Sequence, residues 1–178
     1  AIENYRFDLA SQAIYEFMWN EYCDWYLELS KPVLWGDDIA TELKVGTRRT
    51  LIRVLETTLK ITHPFMPFIT EEIWQQLRAL VAEEGETSML QSYPTENTKL
   101  IDKEATVNIE WLKKAVIGIR NIRGEMNISP AKLLTVYLRN GSSEDKYRLS
   151  ENRAYLAKMA HLDKIIWLDC SEESPASI

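Results

Sequence analysis

Apolar residues return every three or four positions along the first part of the chain, which is the spacing of one face of an α-helix. The pattern predicts a helix from about Asp8 to Ser30, with Asp8 as its N-cap. Pro32 is predicted to close this helix, because the residue before a proline avoids the α region. The polar stretch 34–46 is predicted to be a loop. The stripe consists of Leu9, Ala13, Phe17, Tyr22, Trp25 and Leu29.

Three later segments repeat the helical spacing. They predict helices over about 47–61, from Pro67 to about Leu80, and over 102–126. His63-Pro64 separates the first two of these segments, and the polar stretch 82–100 is predicted to be a loop before the last.

The period then changes from helical to extended. Residues 133–139 (LLTVYLR) and 164–168 (KIIWL) are short, apolar and rich in strand formers. Between them, Ser142 and Asp145 resemble a capping box ahead of a helix over 143–160. A strand–helix–strand unit of this length can place its two strands in parallel through a right-handed crossover.

The predicted fold is therefore mainly α: a four-helix-bundle domain with a small C-terminal strand-helix-strand (α+β) appendage. We expect the bundle to cover residues 1–130 and the appendage residues 131–170. Residues 171–178 are expected to form a frayed tail.

The composition is that of a globular protein, with 46% hydrophobic and 27% charged residues. No apolar run reaches the roughly 18 residues of a membrane span, and the N-terminus lacks the features of a signal peptide. Two distant cysteines do not form a disulfide framework, so a cytoplasmic location is expected. The net charge of −6 argues against nonspecific nucleic-acid binding. The stretch 44–60 nevertheless has five basic residues and one acidic residue, which permits a local basic face.

The chain shows no recognisable catalytic pattern. Its six glycines form neither GxGxxG nor a P-loop, and its histidines and cysteines are too few for a zinc site of recognisable spacing. His63 is expected to have a structural role at a helix junction, and Cys23 to act as a small hydrophobic residue. The pairs Glu71-Glu72 and Glu83-Glu84 are expected to be solvated surface. No catalytic residue, metal or cofactor is therefore expected in this chain.

Three longer stretches together resemble a known family. They are YEFMWNEYCDWYLELSKP (15–32), HPFMPFITEEIW (63–74) and IRNIRGEMNISP (119–130). In this order and at about these spacings they resemble the C-terminal, anticodon-binding region of the valyl-tRNA synthetases, which are class I aminoacyl-tRNA synthetases. The second stretch is shared in looser form by isoleucyl and leucyl enzymes, whereas the CDWYLELSKP part resembles the valyl enzymes more specifically.

The resemblance implies an anticodon-binding role for the end of the first helix. In the family, the leucine of the CDWYL stretch contacts the anticodon, and that position is Leu27 here. Splayed anticodon bases are read by stacking and edge contacts, which require apolar side chains beside polar ones. Asp24, Glu28 and Lys31 provide such polar neighbours, so all four are candidate tRNA-binding residues. If Leu27 is instead a core residue, this assignment fails.

Four arginines complete the candidate tRNA-binding set. Arg49 and Arg53 are expected on one face of the second helix, and Arg120 and Arg123 near the end of the last long helix. Arginine suits phosphate because its planar fork makes paired hydrogen bonds. The alternative for Arg49 and Arg53 is an ordinary solvated helix face. Arg120 and Arg123 could instead dock on the catalytic domain of the parent synthetase or pair with Glu125.

The resemblance also indicates what lies outside the chain. The HIGH and KMSKS motifs of the catalytic domain are absent, so we expect the isolated chain to have no aminoacylation activity. The parent enzyme would be a cytoplasmic monomer that ligates valine to its tRNA with ATP and Mg in a separate domain. A family helix that supplies further anticodon contacts would precede Ala1, and a coiled-coil arm would follow Ile178.

Three other functions remain open. The chain could be an interdomain or protein-interaction scaffold of the synthetase with little RNA affinity of its own, or the equivalent region of an isoleucyl- or leucyl-type enzyme. A small independent enzyme using Cys23 or His63 is the third alternative.

Overall fold

The computed structural model describes residues 1–81 and 85–168. These residues are mainly helical, with one small two-stranded sheet, which confirms the predicted fold class. They form two compact units, Ala1–Asn97 and the part from Thr98 onward. The predicted frayed tail, Cys170 and the Glu83-Glu84 pair lie outside the described residues.

The first helical run is longer than predicted and covers residues 7–35. It consists of α1 (Phe7–Glu16), a π segment (Phe17–Leu27) and α2 (Glu28–Trp35). Asp8 is not the N-cap, because the helix begins one residue earlier, at Phe7. Arg6 occupies the cap position, and Asp8 lies in the first turn, where its carboxylate accepts hydrogen bonds from the Arg6 guanidinium at 2.9 and 2.6 Å.

Pro32 does not end the first helical run, contrary to the prediction. A proline inside a helix costs about 3 kcal/mol because it removes a hydrogen bond and crowds the preceding turn. The flanking residues Ser30 and Val33 are both buried, and the Gly36 amide donates to the Pro32 carbonyl at 3.1 Å. Tertiary packing on both sides of the proline therefore outweighs its local preference.

Helix α3 (Thr41–Thr62) begins six residues before the predicted start, so the predicted loop 34–46 is reduced to residues 36–40. Its first turns are exposed, and exposed polar turns give no apolar stripe in the sequence. Glu42 in the first turn favours the helix start through the helix dipole. Gly46 is tolerated because this part of α3 is exposed, although glycine there costs about 1 kcal/mol relative to alanine.

Helix α4 (Pro67–Val81) follows the turn at His63-Pro64, as predicted, and packs against α3. The fully buried Trp74 of α4 is the largest side chain in the core of the first unit. Residues 85–100 are mostly irregular, with two short 3₁₀ turns at Ser88–Leu90 and Thr98–Leu100.

The second unit joins the long helix α5 (Lys103–Glu125) to the predicted appendage. Asp102 is the N-cap of α5, accepting a hydrogen bond from the Ala105 amide at 3.0 Å. Strand β1 (Leu134–Leu138) and strand β2 (Leu162–Trp167) are parallel and flank α6 (Ser143–Met159) along the chain, as predicted.

The predicted capping box at the start of α6 is present. The Asp145 amide donates to the Ser142 hydroxyl at 3.1 Å, and the Ser142 amide donates to the Asp145 carboxylate at 2.8 Å. The indole of Trp111 on α5 donates to the same carboxylate at 2.8 Å, which ties α5 to α6. The Ser142 hydroxyl, its amide and the Trp111 indole all stabilise the charged form and lower the pKa of Asp145.

The core of the second unit is formed where α5 and β2 each pack against α6. Leu112, Val116 and Leu156 are fully buried there. Gly141, at the turn after β1, is required by a close approach: a Cβ at this position would lie 2.3 Å from the Trp167 ring. Along the chain, the first compact unit ends at Asn97 and the second begins at Thr98. Whether residues 1–130 act as one functional domain stays a prediction.

Candidate nucleic-acid interface

The four candidate anticodon contacts lie around the junction between the π segment and α2. Asp24 and Leu27 belong to the end of the π segment, and Glu28 and Lys31 to the first turn of α2. Asp24 is exposed, and the other three are half-buried. Leu27 is therefore neither a fully exposed contact nor a closed core residue, the two alternatives considered from the sequence.

The π segment changes which residues neighbour Leu27. An α-helix would place Cys23 and Asp24 beside it, whereas a π-helix bonds each residue to the fifth residue along. Within the segment, Tyr22 thus joins Cys23 on the turn before Leu27. After Leu27 the helix is α again, so Ser30 and Lys31 still follow it by one turn. Eleven consecutive π residues are unusual, since such turns mostly occur singly and often at functional sites.

Tyr22 anchors the π segment to α3. Its side chain is buried, and its hydroxyl donates to the Leu51 carbonyl at 3.0 Å. Burial of the phenol raises the pKa of Tyr22, so the hydroxyl stays a donor. The sequence indicated only an apolar position here, because helical spacing does not show what a phenol hydroxyl meets. The anchor fixes the segment that carries Asp24 and Leu27.

Glu28 and Lys31 form an ion pair with each other across one helical turn. Both side chains keep about two-fifths of their surface exposed, at 42% and 40%. The Lys31 ammonium also lies 5.9 Å from the centre of the Trp35 ring, within the range of a cation–π contact. Any RNA phosphate that binds Lys31 must therefore compete with the Glu28 carboxylate.

Arg49 and Arg53 lie one turn apart on α3 and are both exposed. Together with Arg48 they line a partly open groove of about 800 Å³ in the first unit. The other side of the groove is formed by Leu80 of α4 and by the loop that contains Pro94. The structure thus brings two of the sequence-predicted arginines into one concave site and adds a third.

Lys60 and Glu56 form an ion pair lower in the same groove. Their side chains are only 11% and 9% exposed. Because the Glu56 carboxylate neutralises the Lys60 ammonium, the three arginines provide the positive charge of the groove.

The two arginines of α5 differ from each other. Arg120 is exposed, and its guanidinium donates to the Met159 carbonyl at 3.3 Å. Arg123 is buried, and its guanidinium donates to the carbonyls of Ser129, Ala160 and His161 at 3.1, 3.1 and 2.9 Å. This guanidinium holds the segment after α5 to the end of α6, so its surroundings are those of a structural residue.

His63 takes part in a polar cluster that joins α4 to the turn at Ser88. The Ser88 hydroxyl donates to the Glu71 carboxylate at 2.5 Å, and the Thr70 hydroxyl donates to the Met66 carbonyl at 2.8 Å. Both hydroxyl protons are thereby committed, so His63 Nδ1, 3.1 Å from the Ser88 oxygen and 2.9 Å from the Thr70 oxygen, carries the donating proton. Through Nδ1, His63 therefore connects α4 to the turn at Ser88.

Glu71 is half-buried in this cluster, contrary to the expectation of a solvated pair with Glu72. Burial by itself would raise its pKa, but hydrogen bonds from the Ser88 hydroxyl, Gln75, the Ser88 amide and Thr87 outweigh burial and lower the pKa to about 2. The prediction failed because the partner Ser88 lies 17 residues away, beyond the reach of helical spacing.

Within residues 1–81 and 85–168, no group of three or more His, Cys, Asp or Glu side chains is arranged to hold a metal ion. In the same ranges, no helix is long and apolar enough to span a lipid bilayer. Cys23 is a free, half-buried cysteine.

Comparison with known proteins gives a family match over most of the chain. The sequence model of the anticodon-binding domain of tRNA ligase matches residues 1–138. The chain is also 49% identical over 175 residues to the valine–tRNA ligases of Legionella pneumophila strains Lens and Paris. These matches cover 98% of this chain but only 19% of each relative, so the chain spans about a fifth of the length of the curated relatives.

Proposed function

This chain belongs to the family of anticodon-binding domains of tRNA ligases, and from that premise we propose that it binds the anticodon arm of a valine tRNA. The parent protein would be a cytoplasmic valine–tRNA ligase that uses ATP and Mg in a different domain and acts as a monomer. The single observation that best supports the proposal is the 49% identity to valine–tRNA ligases over 98% of the chain.

The junction between the π segment and α2 is the proposed anticodon contact. Leu27 offers a half-buried apolar surface on which a base can pack, and the exposed Asp24 carboxylate can accept from a base edge. The Lys31–Glu28 pair provides a cation whose partner can be exchanged for a phosphate. Tyr22 holds the junction in place, so these groups do not have to be ordered when RNA binds.

The arginines contribute unequally to the proposal. Arg49 and Arg53 are exposed and remain candidate phosphate contacts. Arg120 is exposed and also remains a candidate, although its guanidinium donates one hydrogen bond to the Met159 carbonyl. Arg123 would have to leave three backbone carbonyls to reach RNA, so we propose a structural role for it in place of the predicted tRNA contact.

A titration with transcribed valine tRNA, repeated with the anticodon altered, tests the proposal. Leu27→Ala is expected to weaken binding of the valine tRNA by about 1–3 kcal/mol, the range for loss of one base-stacking contact. The unfolding free energy should fall by about 1–2 kcal/mol, since a half-buried leucine costs less than the 2–5 of a fully buried one. Circular dichroism during denaturation measures the second quantity.

Leu77→Ala is the matched control, because Leu77 is also a half-buried leucine but lies on α4. It should lower stability by a similar amount and leave tRNA affinity unchanged. Equal binding of the valine tRNA and the altered tRNA would contradict anticodon recognition by this chain. A Leu27→Ala loss of more than about 3 kcal/mol in stability would instead mark Leu27 as a core residue.

A scaffold function is the second candidate, supported by exposed apolar side chains. Phe68 is 90% exposed and Tyr5 82%, and aromatic residues are enriched in protein interfaces. If this is the main role, the chain binds tRNA no better at about 50 mM salt than at about 200 mM, because phosphate contacts are what make affinity depend on salt.

A further inference from the structure

The arginine groove of the first unit is built by three elements. Helix α3 provides one wall with Arg48, Arg49 and Arg53, and the opposite side comes from α4 and residues 92–95. None of the lining residues belongs to the run 7–35, which carries the proposed anticodon contacts. The groove is therefore a second site within the same compact unit.

The three arginine side chains are available to a ligand. All three are exposed, and within the described residues no hydrogen bond or ion pair involves their guanidinium groups. The neighbouring acid, Glu56, is already paired with Lys60. The groove consequently keeps three unneutralised positive charges in a protein whose net charge is −6.

The spacing of the arginines suits neighbouring phosphates. Residues rise by about 1.5 Å each along an α-helix, so Arg48 and Arg53 are separated by roughly 7.5 Å along α3. In a stacked strand with the rise of a duplex strand, phosphates follow one another at about 3.4 Å along the axis, so this span corresponds to about two steps between three phosphates. Guanidinium groups bind phosphate oxygens in pairs, which favours arginine over lysine for such contacts.

The remaining lining offers hydroxyl groups and apolar surface that an RNA segment can use. Thr57, Ser92 and Thr95 provide hydroxyl groups that can bond to ribose and phosphate oxygens, and Ile52 and Pro94 provide apolar surface for a base or sugar face. The volume of about 800 Å³ falls within the roughly 300–1,000 Å³ of small-ligand sites. Because the groove is partly open, a chain can enter and leave it.

We propose that this groove binds the sugar–phosphate backbone of a single-stranded RNA segment, with Arg48, Arg49 and Arg53 on consecutive phosphates. The inference rests on the proposed function in that the RNA is a tRNA, whereas the groove itself does not read the anticodon. It adds Arg48, the hydroxyl groups and the wall at residues 92–95 to the contacts expected from the sequence.

Binding of a short unstructured RNA oligonucleotide to the full chain tests this inference. Simultaneous replacement of Arg48, Arg49 and Arg53 by alanine should weaken binding at least tenfold. If the three phosphates are released, the slope of log affinity against log salt should change by about 2.1, at roughly 0.7 per phosphate of a single strand. The matched control replaces Lys103, Lys114 and Lys132, three exposed lysines outside the groove, by alanine.

The control separates the groove from the overall charge, because both triple variants lose three positive charges. Equal weakening by both would overturn the inference in favour of a general charge effect. Competition distinguishes the ligands: inorganic phosphate that displaces the oligonucleotide at equal concentration would indicate a free-anion site, and an equally effective acidic peptide would indicate a protein partner. Either result overturns the RNA assignment.

A photo-crosslink locates the RNA directly. A 4-thiouridine oligonucleotide should crosslink to peptides that contain residues 45–60 or 92–95, and crosslinks confined to other peptides would overturn the inference. The two proposals also fail separately. If Leu27→Ala weakens tRNA binding and the groove variant does not, the anticodon role is supported and the groove role is refuted. If only the groove variant weakens binding, the groove role is supported and the anticodon role of Leu27 is refuted.

Discussion

Arg123 in the second unit and Arg49 in the first both lie on long helices, yet their guanidinium groups have different surroundings. Arg123 is 7% exposed and bonds three backbone carbonyls. Arg49 is exposed beside two further arginines along a groove. The sequence predicted the same tRNA-binding role for both residues. The difference shows that the position of an arginine on a long helix does not decide whether its guanidinium is held by backbone carbonyls, as in Arg123, or left exposed to a ligand, as in Arg49.

Replacing Arg123 should give the largest effect on stability. Arg123→Ala leaves the buried Ala160 carbonyl and the part-buried Ser129 and His161 bonds without their donor, and a buried acceptor left unsatisfied costs about 1–3 kcal/mol. We expect a loss of about 3–5 kcal/mol, measured by hydrogen exchange of residues 98–168. The control Arg120→Ala, one turn earlier and exposed, should cost about 1 kcal/mol or less. A similar small loss for Arg123→Ala would remove the contrast between the two regions.

Breaking the Lys60–Glu56 ion pair that lines the groove should give the next largest effect. Lys60→Met leaves the Glu56 carboxylate buried and unpaired, which costs about 3–5 kcal/mol in a closed site. Because both side chains keep about a tenth of their exposure, we expect about 2–4 kcal/mol in denaturant unfolding. Adding Glu56→Leu should recover most of this loss. If the double variant is no better than Lys60→Met, the pair is not what stabilises this part of α3.

Acidification should affect the first unit through Glu71. Its pKa of about 2 lies below the ordinary value of 4.5, so its stabilising bonds are fully present above about pH 4.5 and are lost as the pH falls towards 2. Glu71→Gln should lower Tm at pH 7, and its Tm should change less than that of the unaltered chain between pH 5 and 2.5. Glu72→Gln, the exposed neighbour, is the control. Identical pH profiles would show that the cluster does not stabilise the fold.

Removing groove arginines should have the smallest effect on stability. Arg49→Ala with Arg53→Ala changes two exposed side chains, and such changes usually stay within about 0.5 kcal/mol each. RNA affinity should nevertheless fall. A Tm drop as large as that of Arg123→Ala would mean that these arginines also hold the fold together, and the comparison between the two regions would fail.

The fold could be predicted where local signals agree with one another. The spacing of Leu112, Val116 and Ile119 marks one face of α5, and all three are buried. The Ser142–Asp145 capping box is a local motif, so it was readable from the sequence and is present. The start of α3 was not readable, because its exposed first turns carry no apolar stripe. The helix end predicted at Pro32 was wrong because burial of the residues around it offsets the free-energy cost of a proline inside a helix, and the local sequence does not show that burial.

The candidate site was less predictable than the fold. The resemblance selected Leu27 and its neighbours, but it could not show that Lys31 is paired with Glu28 or that Tyr22 bonds to Leu51. The sequence grouped Arg49 with Arg53 by helical spacing alone. The sequence could not show that residues 92–95 form the opposite wall of the groove. These residues follow the arginines by more than thirty positions, and only the fold brings them close to α3.

The π segment has a consequence for any systematic scan of this chain. Between Phe17 and Leu27 the residues that share a side of the helix recur with a longer period than in α1 and α2. In an alanine scan, the positions at which substitution lowers stability most should therefore depart from a 3.6-residue period at Phe17 and follow that period again after Leu27. Pairs four apart stay close in this stretch, since the ring centres of Tyr22 and Tyr26 are 6.2 Å apart. Pairs five apart, such as Tyr22 with Leu27, are brought close as well, so double substitutions at both spacings should show coupled effects.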